Sequence, residues 1–282
     1  MRNQGRIKPV LVILISLFLI ILAFVIWDNF NIQVTSYTIS SDQIPENFSG
    51  FRIVQISDLH NAVFGHNNKK LLDEIVAADP DIIVITGDIV DSRRTDYQVA
   101  ISFAQKANNI APTYYITGNH ESRISESGKL EGGLIGAGVT ILTDEDTILE
   151  QNSQYIRMVG IQDPAFRAGS EKDSTDNILT QLNMNDDMYT VLLSHRPELF
   201  EVYEANGVEL VITGHAHGGQ FRLPFIGGLF APHQGFLPKY DAGIFNRNNT
   251  NMIVSRGIGN SIFPFRFNNR PEIVVVELQN IN

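Results

Sequence analysis

Two histidines stand two residues apart in Gly214-His215-Ala216-His217-Gly218-Gly219-Gln220, directly after the apolar run VELVIT. The same arrangement, an apolar β-branched run closed by a polar cluster, recurs along the chain. FRIVQIS ends at Asp58-Leu59-His60, DIIVIT at Gly87-Asp88, PTYYIT at Gly118-Asn119-His120 and YTVLLS at His195. One Gly-Asp or Gly-Asn after a strand is ordinary turn chemistry. Five such endings are a different matter, because they hold five of the seven histidines and leave only His66 and His233 outside. Aspartate, asparagine and neutral imidazole are oxygen and nitrogen donors, suited to Mn, Fe, Zn or Ni. In Asp58-x-His60 and His215-x-His217 the spacing of two projects both side chains to one side if the backbone stays extended. Gly214, Gly218 and Gly219 allow a tight turn there. The donors outnumber what one ion needs. With Asp88 bridging, they divide between two ions, a design that suits phosphoryl transfer.

Such donors need a scaffold that brings them together. Between the apolar runs lie helical stretches at residues 67–78, 96–109 and 196–206, so strands alternate with helices and predict βαβ units with largely parallel pairing. Parallel strands place their carboxyl ends along one edge, where α/β sheets bind ligands. An additional weakly alternating run, IQVTSYTIS, predicts a strand at residues 32–40. The remainder fits one domain of roughly 250 residues.

Val10 to Trp27 carries no charge, with Ser16 its only polar residue. At a rise of about 1.5 Å per residue this crosses a hydrocarbon core of about 30 Å. The run exceeds a usual signal-peptide core and offers no small-x-small cleavage site, which favours an uncleaved anchor. Arg2, Arg6 and Lys8 precede it, and the first basic residue after it is Arg52. The expected layout is a cytoplasmic segment 1–8, a transmembrane signal-anchor 9–27 and an extracytoplasmic domain 28–282. The absence of cysteine excludes disulfides and thiolate metal sites and suits an oxidising compartment. A net charge of −10 argues against binding a nucleic-acid backbone.

Asp58-x-His60, Gly87-Asp88-x-x-Asp91, Gly118-Asn119-His120-Glu121, Ser194-His195 and Gly214-His215-x-His217 occur in that order. The series resembles the motifs of the calcineurin-like metallophosphoesterases, over a core of residues 51–278. The amino-terminal anchor and the segment SRGIGNSIFPFRFNNRPEIVVVEL resemble the bacterial membrane-associated branch of that family. The resemblance implies an α/β fold with two central mixed β-sheets flanked by helices. It implies one divalent ion (Mn, Fe or Zn) held by Asp58, His60, Asp88 and His217, and a second held by Asp88, Asn119, His195 and His215. It gives His120 the role of proton donor or transition-state partner, for which a near-neutral pKa is expected. Asp91 is expected to be a carboxylate that orients an active-site histidine; a plain turn aspartate is the alternative. Two cations about 3.5–4 Å apart lower the pKa of a bridging water and neutralise charge on the phosphoryl oxygens.

One departure narrows the substrate. In the family's phosphoprotein phosphatases an arginine follows the Gly-Asp-x-x-Asp segment to grip phosphate. Here Ser92 follows Asp91, with Arg93 and Arg94 behind it. A phosphodiester or diphosphate on an envelope or lipid-linked substrate is therefore expected over a phosphoprotein. Alternatives are a nucleoside-diphosphate lipid pyrophosphatase and a membrane-tethered metal-binding domain without turnover. Arg222 and Arg266 are candidate substrate contacts, with surface or packing arginines as the alternative, and His233 has a similar standing. Phe221, Phe225, Phe230 and Phe236, with Phe263, Phe265 and Phe267, form either core or an apolar lip.

Overall fold

The computed structural model describes residues 4–184, 187–260 and 263–282, with side chains from residue 9 onward. Residues 1–3 of the expected cytoplasmic segment, and residues 261 and 262 of the aromatic segment, lie outside the described residues. Helix α1 (Gln4–Phe30) contains a 22-residue stretch, Pro9–Phe30, with a mean hydropathy of 3.3 and none of its apolar window buried against the rest of the chain. It is long and apolar enough to cross a membrane. Residues 31 and 32 are all that separate α1 from the first strand.

The first sheet begins with β1 (Gln33–Ser41), β2 (Arg52–Ile56), β3 (Ile82–Thr86), β4 (Thr113–Ile116) and β5 (Thr140–Ile141). The second begins with β6 (Glu145–Gln151), β7 (Gln154–Gly160), β8 (Thr190–Leu193) and β9 (Leu210–Thr213). Two small hairpins follow, β10 (Arg222–Leu223) with β11 (Gly227–Gly228) and β12 (Phe230–Ala231) with β13 (Gly235–Phe236). Strands β14 (Gly243–Arg247) and β15 (Thr250–Val254) complete the second sheet, and β16 (Glu272–Asn280) returns to the first. The orders are β1-β16-β2-β3-β4-β5 and β14-β15-β9-β8-β7-β6. Both sheets are mixed, as expected. The strands β2 to β5 are parallel, as are β7, β8, β9 and β15, while β16 and β2 pair antiparallel.

Strands buried on both faces read as continuous apolar runs, and every residue of β3, β8 and β9 is buried. Val84 and Ile116 of the first sheet meet Leu193 and Ile212 of the second in an apolar layer between the sheets. The other face of the first sheet packs against α2 (Lys69–Ala77), α3 (Tyr97–Asn108) and α4 (Ser127–Gly136). In α3, Ala100, Phe103, Ala104 and Ala107 form the buried stripe, and the Asp96 carboxylate caps the helix by accepting from the Gln98 and Val99 amides. The second sheet is covered by α5 (Glu171–Gln181) and α6 (Phe200–Ala205). Helix α6 starts later than the expected 196. Pro197 keeps Arg196 extended (φ −102, ψ 98) and opens a 3-10 turn that delays the helix.

This topology explains how five separated clusters meet. The carboxyl ends of β2, β3 and β4 come from the first sheet and those of β8 and β9 from the second. Buried Gln55 ties the two edges together, its amide donating to the Thr86 hydroxyl and the Thr213 carbonyl, each at 2.8 Å.

Candidate metal centre

Asp58, His60, Asp88, Asn119, His195, His215 and His217 converge at these strand ends, and each is at most 7% exposed. The Asp58-x-His60 and His215-x-His217 pairs do not reach the centre on extended backbone. Asp58, His60, Asp88, His215 and His217 all have positive φ, between 46° and 67°. The strands end in left-handed turns that point consecutive polar groups inward, conformations that cost free energy and recur at functional sites. The turns also need small neighbours. A Cβ on Gly87 (φ 87) would lie 2.6 Å from the Gly118 nitrogen and 2.8 Å from His195 Nδ1. A Cβ on Gly214 would overlap the Ser57 hydroxyl and come 2.6 Å from Asp58 Oδ2.

Each aspartate is held by one oxygen and offers the other. Asp58 Oδ2 accepts from the Ser57 hydroxyl at 2.6 Å and the His215 amide at 3.0 Å, whereas Oδ1 has no hydrogen-bond partner among the described residues. Asp88 Oδ1 accepts from the His120 amide at 2.7 Å. Its Oδ2 lies 3.6 Å from His60 Nε2 and 3.3 Å from His195 Nε2. Around Asp58 Oδ1, His217 Nε2 is 3.3 Å away and His60 Nε2 3.8 Å, with the two imidazole nitrogens 3.2 Å apart. His215 Nδ1 is 3.2 Å from His195 Nε2. His195 donates Nδ1–H to the Thr86 carbonyl at 2.7 Å, which directs Nε2 inward. The buried Asn119 Oδ1 also lacks a partner among the described residues. Buried lone pairs facing one another without partners cost free energy unless a cation sits among them. The donor set therefore fits divalent metal ions, in groups Asp58–His60–His217 and Asp88–His195–His215.

The metal-free electrostatics follow from the same packing. Burial alone would raise the Asp58 and Asp88 carboxyls, yet the surrounding histidines hold both well below the usual carboxylate range. Burial works against charge on His195, but the adjacent Asp88 carboxylate pushes it up to about 10. His60 is raised for the same reason, by Asp58 and Asp88. His217 moves the other way, to about 3, and His215 falls well below its ordinary value, through burial and neighbouring positive charge.

His120 is 6% exposed, and its ring lies edge-on to His60 with centroids 4.5 Å apart. The Ser92 backbone N–H donates to His120 Nδ1 at 3.0 Å, so the ring's proton resides on Nε2. Asp91, the carboxylate expected to orient an active-site histidine, lies 3.6 Å from Nδ1 of this ring, beyond hydrogen-bond reach. Asp91 instead accepts from the Arg93 amide and guanidinium. The orienting contact belongs to Ser92. The near-neutral pKa expected for His120 is also corrected, since burial lowers it to about 4. His120 is thus a neutral hydrogen-bond donor.

Three further residues support the centre, in roles that the sequence did not assign to them. Glu121, buried behind the turns, accepts from the Gly118, Asp88 and Val90 amides and is pushed up to about 7 by burial and by Asp88. Arg196 is fully buried, forks onto Asp163 at 2.6 and 2.9 Å and donates to His233 Nδ1 at 2.9 Å. That nitrogen is also 2.9 Å from His215 Nε2, which keeps the His215 proton on Nε2 and leaves Nδ1 facing the cluster. His233 was set outside the strand-end pattern, and only its proximity to His215 in the fold reveals the contact. A cleft of about 410 Å³ opens over the centre, lined by Asp88, Asn119, His120, His215 and His217 together with Ser92, Arg93, Arg123, Pro232 and His233.

The arginines expected to contact substrate are placed elsewhere. Arg266 is 0% exposed and donates to the backbone carbonyls of Arg256 and Gly259, so a substrate cannot touch it. Arg222 is engaged by Asp241 and the Gly218 carbonyl, both at 2.9 Å. Neither lines the cleft.

Comparison with known proteins agrees with this geometry. The chain is 30% identical over 256 residues to the uncharacterized metallophosphoesterase YkuE of Bacillus subtilis, covering 89% of this chain and 87% of that protein. It is 28% identical over 240 residues to the phosphodiesterase YaeI of Escherichia coli, covering 83% and 84%. The crystal structure of TT1561 of Thermus thermophilus superposes with a TM-score of 0.50 at 11% identity, over 74% of this chain and 91% of that one, a likeness of fold. The profile of the calcineurin-like phosphoesterases matches residues 51–219, and the chain belongs to this family of hydrolases acting on phosphoester bonds.

Proposed function

We propose that the chain is a membrane-anchored phosphodiesterase or pyrophosphatase that uses two divalent ions on an envelope or lipid-linked substrate. The observation that carries this reading is Asp88 Oδ2, which lies 3.6 Å from one histidine donor and 3.3 Å from the other and so serves both donor sets. Asp58, His60, Asp88 and His217 would hold one ion, and Asp88, Asn119, His195 and His215 the other. When bound, such a pair supplies Lewis-acid polarisation of the phosphoryl oxygens and activates water at neutral pH.

The protein's own groups do the positioning. His120 presents Nε2–H to the leaving-group oxygen or to charge developing on the phosphoryl group, as a preorganised donor. Ser92 fixes that ring, and Asp91 holds Arg93 at the rim of the cleft. Arg93 and Arg123 provide the cationic edge for a phosphoryl group that carries fewer charges than a phosphoprotein monoester. The name of the E. coli relative supports a diester. The apolar α1 and the short connection to β1 support a substrate near the bilayer, and Arg2, Arg6 and Lys8 support an amino terminus in the cytoplasm with the domain outside.

The test uses the full chain in detergent micelles, stripped of metal and titrated with Mn²⁺ against a chromogenic phosphodiester and the matching monoester. Metal-dependent cleavage that favours the diester and is lost in Asp88→Asn and His120→Ala is expected. Tight metal binding without turnover on either ester, with any of Mn²⁺, Fe²⁺ or Zn²⁺, would leave a tethered metal-binding domain.

A further inference from the structure

The segment between His217 and β14 lies between the mouth of the cleft and the residues that pack on α1. Its two hairpins carry large apolar side chains outward. Phe225 and Ile226, in the turn between β10 and β11, are 108% and 59% exposed, and Phe236 and Leu237, at the end of β13, are 83% and 63% exposed. Phe225 (φ 66) and Leu237 (φ 54) also occupy the left-handed region, where turns ordinarily use glycine or asparagine. A bulky apolar residue there costs conformational free energy, and in water it gains nothing in return.

This surface continues into α1. Phe221 packs against Phe263 and Phe265, with ring centroids 5.3 and 5.4 Å apart, and both of those rings are 43% exposed. Phe267 bridges Phe221 through the backbone and sets its ring edge-on to Phe24 of α1 at 5.6 Å. The junction is fixed by polar contacts. Asn29 exchanges two hydrogen bonds with the Arg266 backbone, at 2.9 and 2.7 Å, and Asp28 accepts from the Asn269 amide at 2.9 Å. Arg270 stacks over Trp27 at 5.1 Å, a cation and an amphipathic ring of the kinds that gather at membrane interfaces. The other side of the same segment borders the centre, because Pro232 and His233, between β12 and β13, line the cleft.

An apolar surface of this extent on a soluble domain marks an interaction site. We propose that its occupant is the interfacial layer of the bilayer that α1 crosses. The hairpin tips dip beside the helix and set the cleft at the membrane surface, where phosphoesters of amphiphilic molecules present their headgroups. A protein partner is disfavoured because the aromatic residues beside the hairpins pack onto a helix whose natural surroundings are lipid. The inference rests on α1 being a membrane span and not on the hydrolytic reading.

The chain has no cysteine, which makes site-directed spin labelling direct. Single cysteines replace Ile226 and Leu237, leaving Phe225 and Phe236 intact, and a third replaces Ile148, an exposed apolar residue on the edge strand β6 at the far side of the second sheet. Full-length protein is reconstituted in nanodiscs of phosphatidylcholine and phosphatidylglycerol, and each nitroxide is tested for collision with oxygen and with a water-soluble nickel chelate. The labels at 226 and 237 are expected to show a severalfold higher oxygen-to-nickel ratio than the label at 148. Equal ratios at all three positions would place the hairpins in water and overturn the proposal. Protection from both reagents that grows with protein density in the disc would assign the surface to a second copy and overturn it equally. The measurement needs no turnover, so its outcome is independent of whether the centre hydrolyses phosphodiesters.

Discussion

The two halves of the histidine cluster use the same residue types but are supported differently. In each half one imidazole is held above its ordinary pKa, His60 or His195, and one below it, His217 or His215. In each half the raised histidine lies beside the Asp88 carboxylate, within 3.6 Å for His60 and 3.3 Å for His195. The backing differs. Around Asp58 the support is the adjacent Ser57 hydroxyl and the backbone amide of His215, which together hold Oδ2. Around His215 it is a series of side chains, His233 and the buried Arg196–Asp163 pair, and His233 opens onto the cleft. One half is backed by a hydroxyl and a backbone amide. The other depends on side chains that the tertiary fold delivers from elsewhere.

The comparison breaks most completely at Asp88, the group both halves share. Asp88→Asn should lower metal-dependent diester hydrolysis by more than about 100-fold, since losing even an outer-shell partner typically costs 10–100-fold. Metal analysis should show the loss of both ions' tight binding; loss of only one would mean that Asp88 serves a single half. Next in size, His120→Ala should reduce kcat by roughly 10²–10³, the usual effect of deleting one transition-state donor. Metal content should stay at the wild-type level, and a fall in stoichiometry would make His120 a ligand.

Substitution of the supports should separate the halves. His233→Ala is expected to weaken one of the two metal-binding steps by about 10-fold, within the range for such partners. Ser57→Ala should weaken the other step by less, because Asp58 Oδ2 keeps the His215 amide. Isothermal titration of the stripped protein resolves the two steps. If both variants affect the same step, the assignment of supports to halves fails.

The smallest effect is on stability against pH. His195, at about 10, and His60 are raised above the unfolded value near 6.5. The pairing of His195 with Asp88 therefore stabilises the metal-free fold fully below about pH 6.5 and is lost as pH rises toward 10, and the pairing of His60 adds in the same direction. Urea midpoints of the metal-free protein should fall between pH 6.5 and 9 more steeply than those of the Mn²⁺-loaded protein. Metal binding near neutral pH should release protons. Parallel pH profiles for the two forms would show that these histidines are not charged without metal.

Much of this molecule was legible in the chain because its signals are local. Apolar runs such as DIIVIT announce buried parallel strands, and the polar residues that close them name the donors. The assumption of extended backbone at Asp58-x-His60 and His215-x-His217 did not hold, because left-handed turns are set by neighbouring packing and not by residue spacing. Asp91 lies 3.6 Å from His120 Nδ1, yet the partner of the imidazole is the Ser92 amide, and a backbone N–H leaves no mark in a sequence. Arginine presents a similar ambiguity. Arg266 and Arg123 look alike in the chain, but one satisfies interior carbonyls and the other edges the cleft.

The sequence by itself determined the donor set, the alternation of strands and helices, and the apolar amino-terminal helix, since each depends on residue type and short-range periodicity. Tertiary structure decided that the donors arrive from two sheets, that His233 and Arg196 stand behind His215, and that the rings of Phe225 and Phe236 face outward. Those outcomes depend on which surfaces, distant in sequence, exclude water from one another. An exposed phenylalanine and a buried one are the same letter.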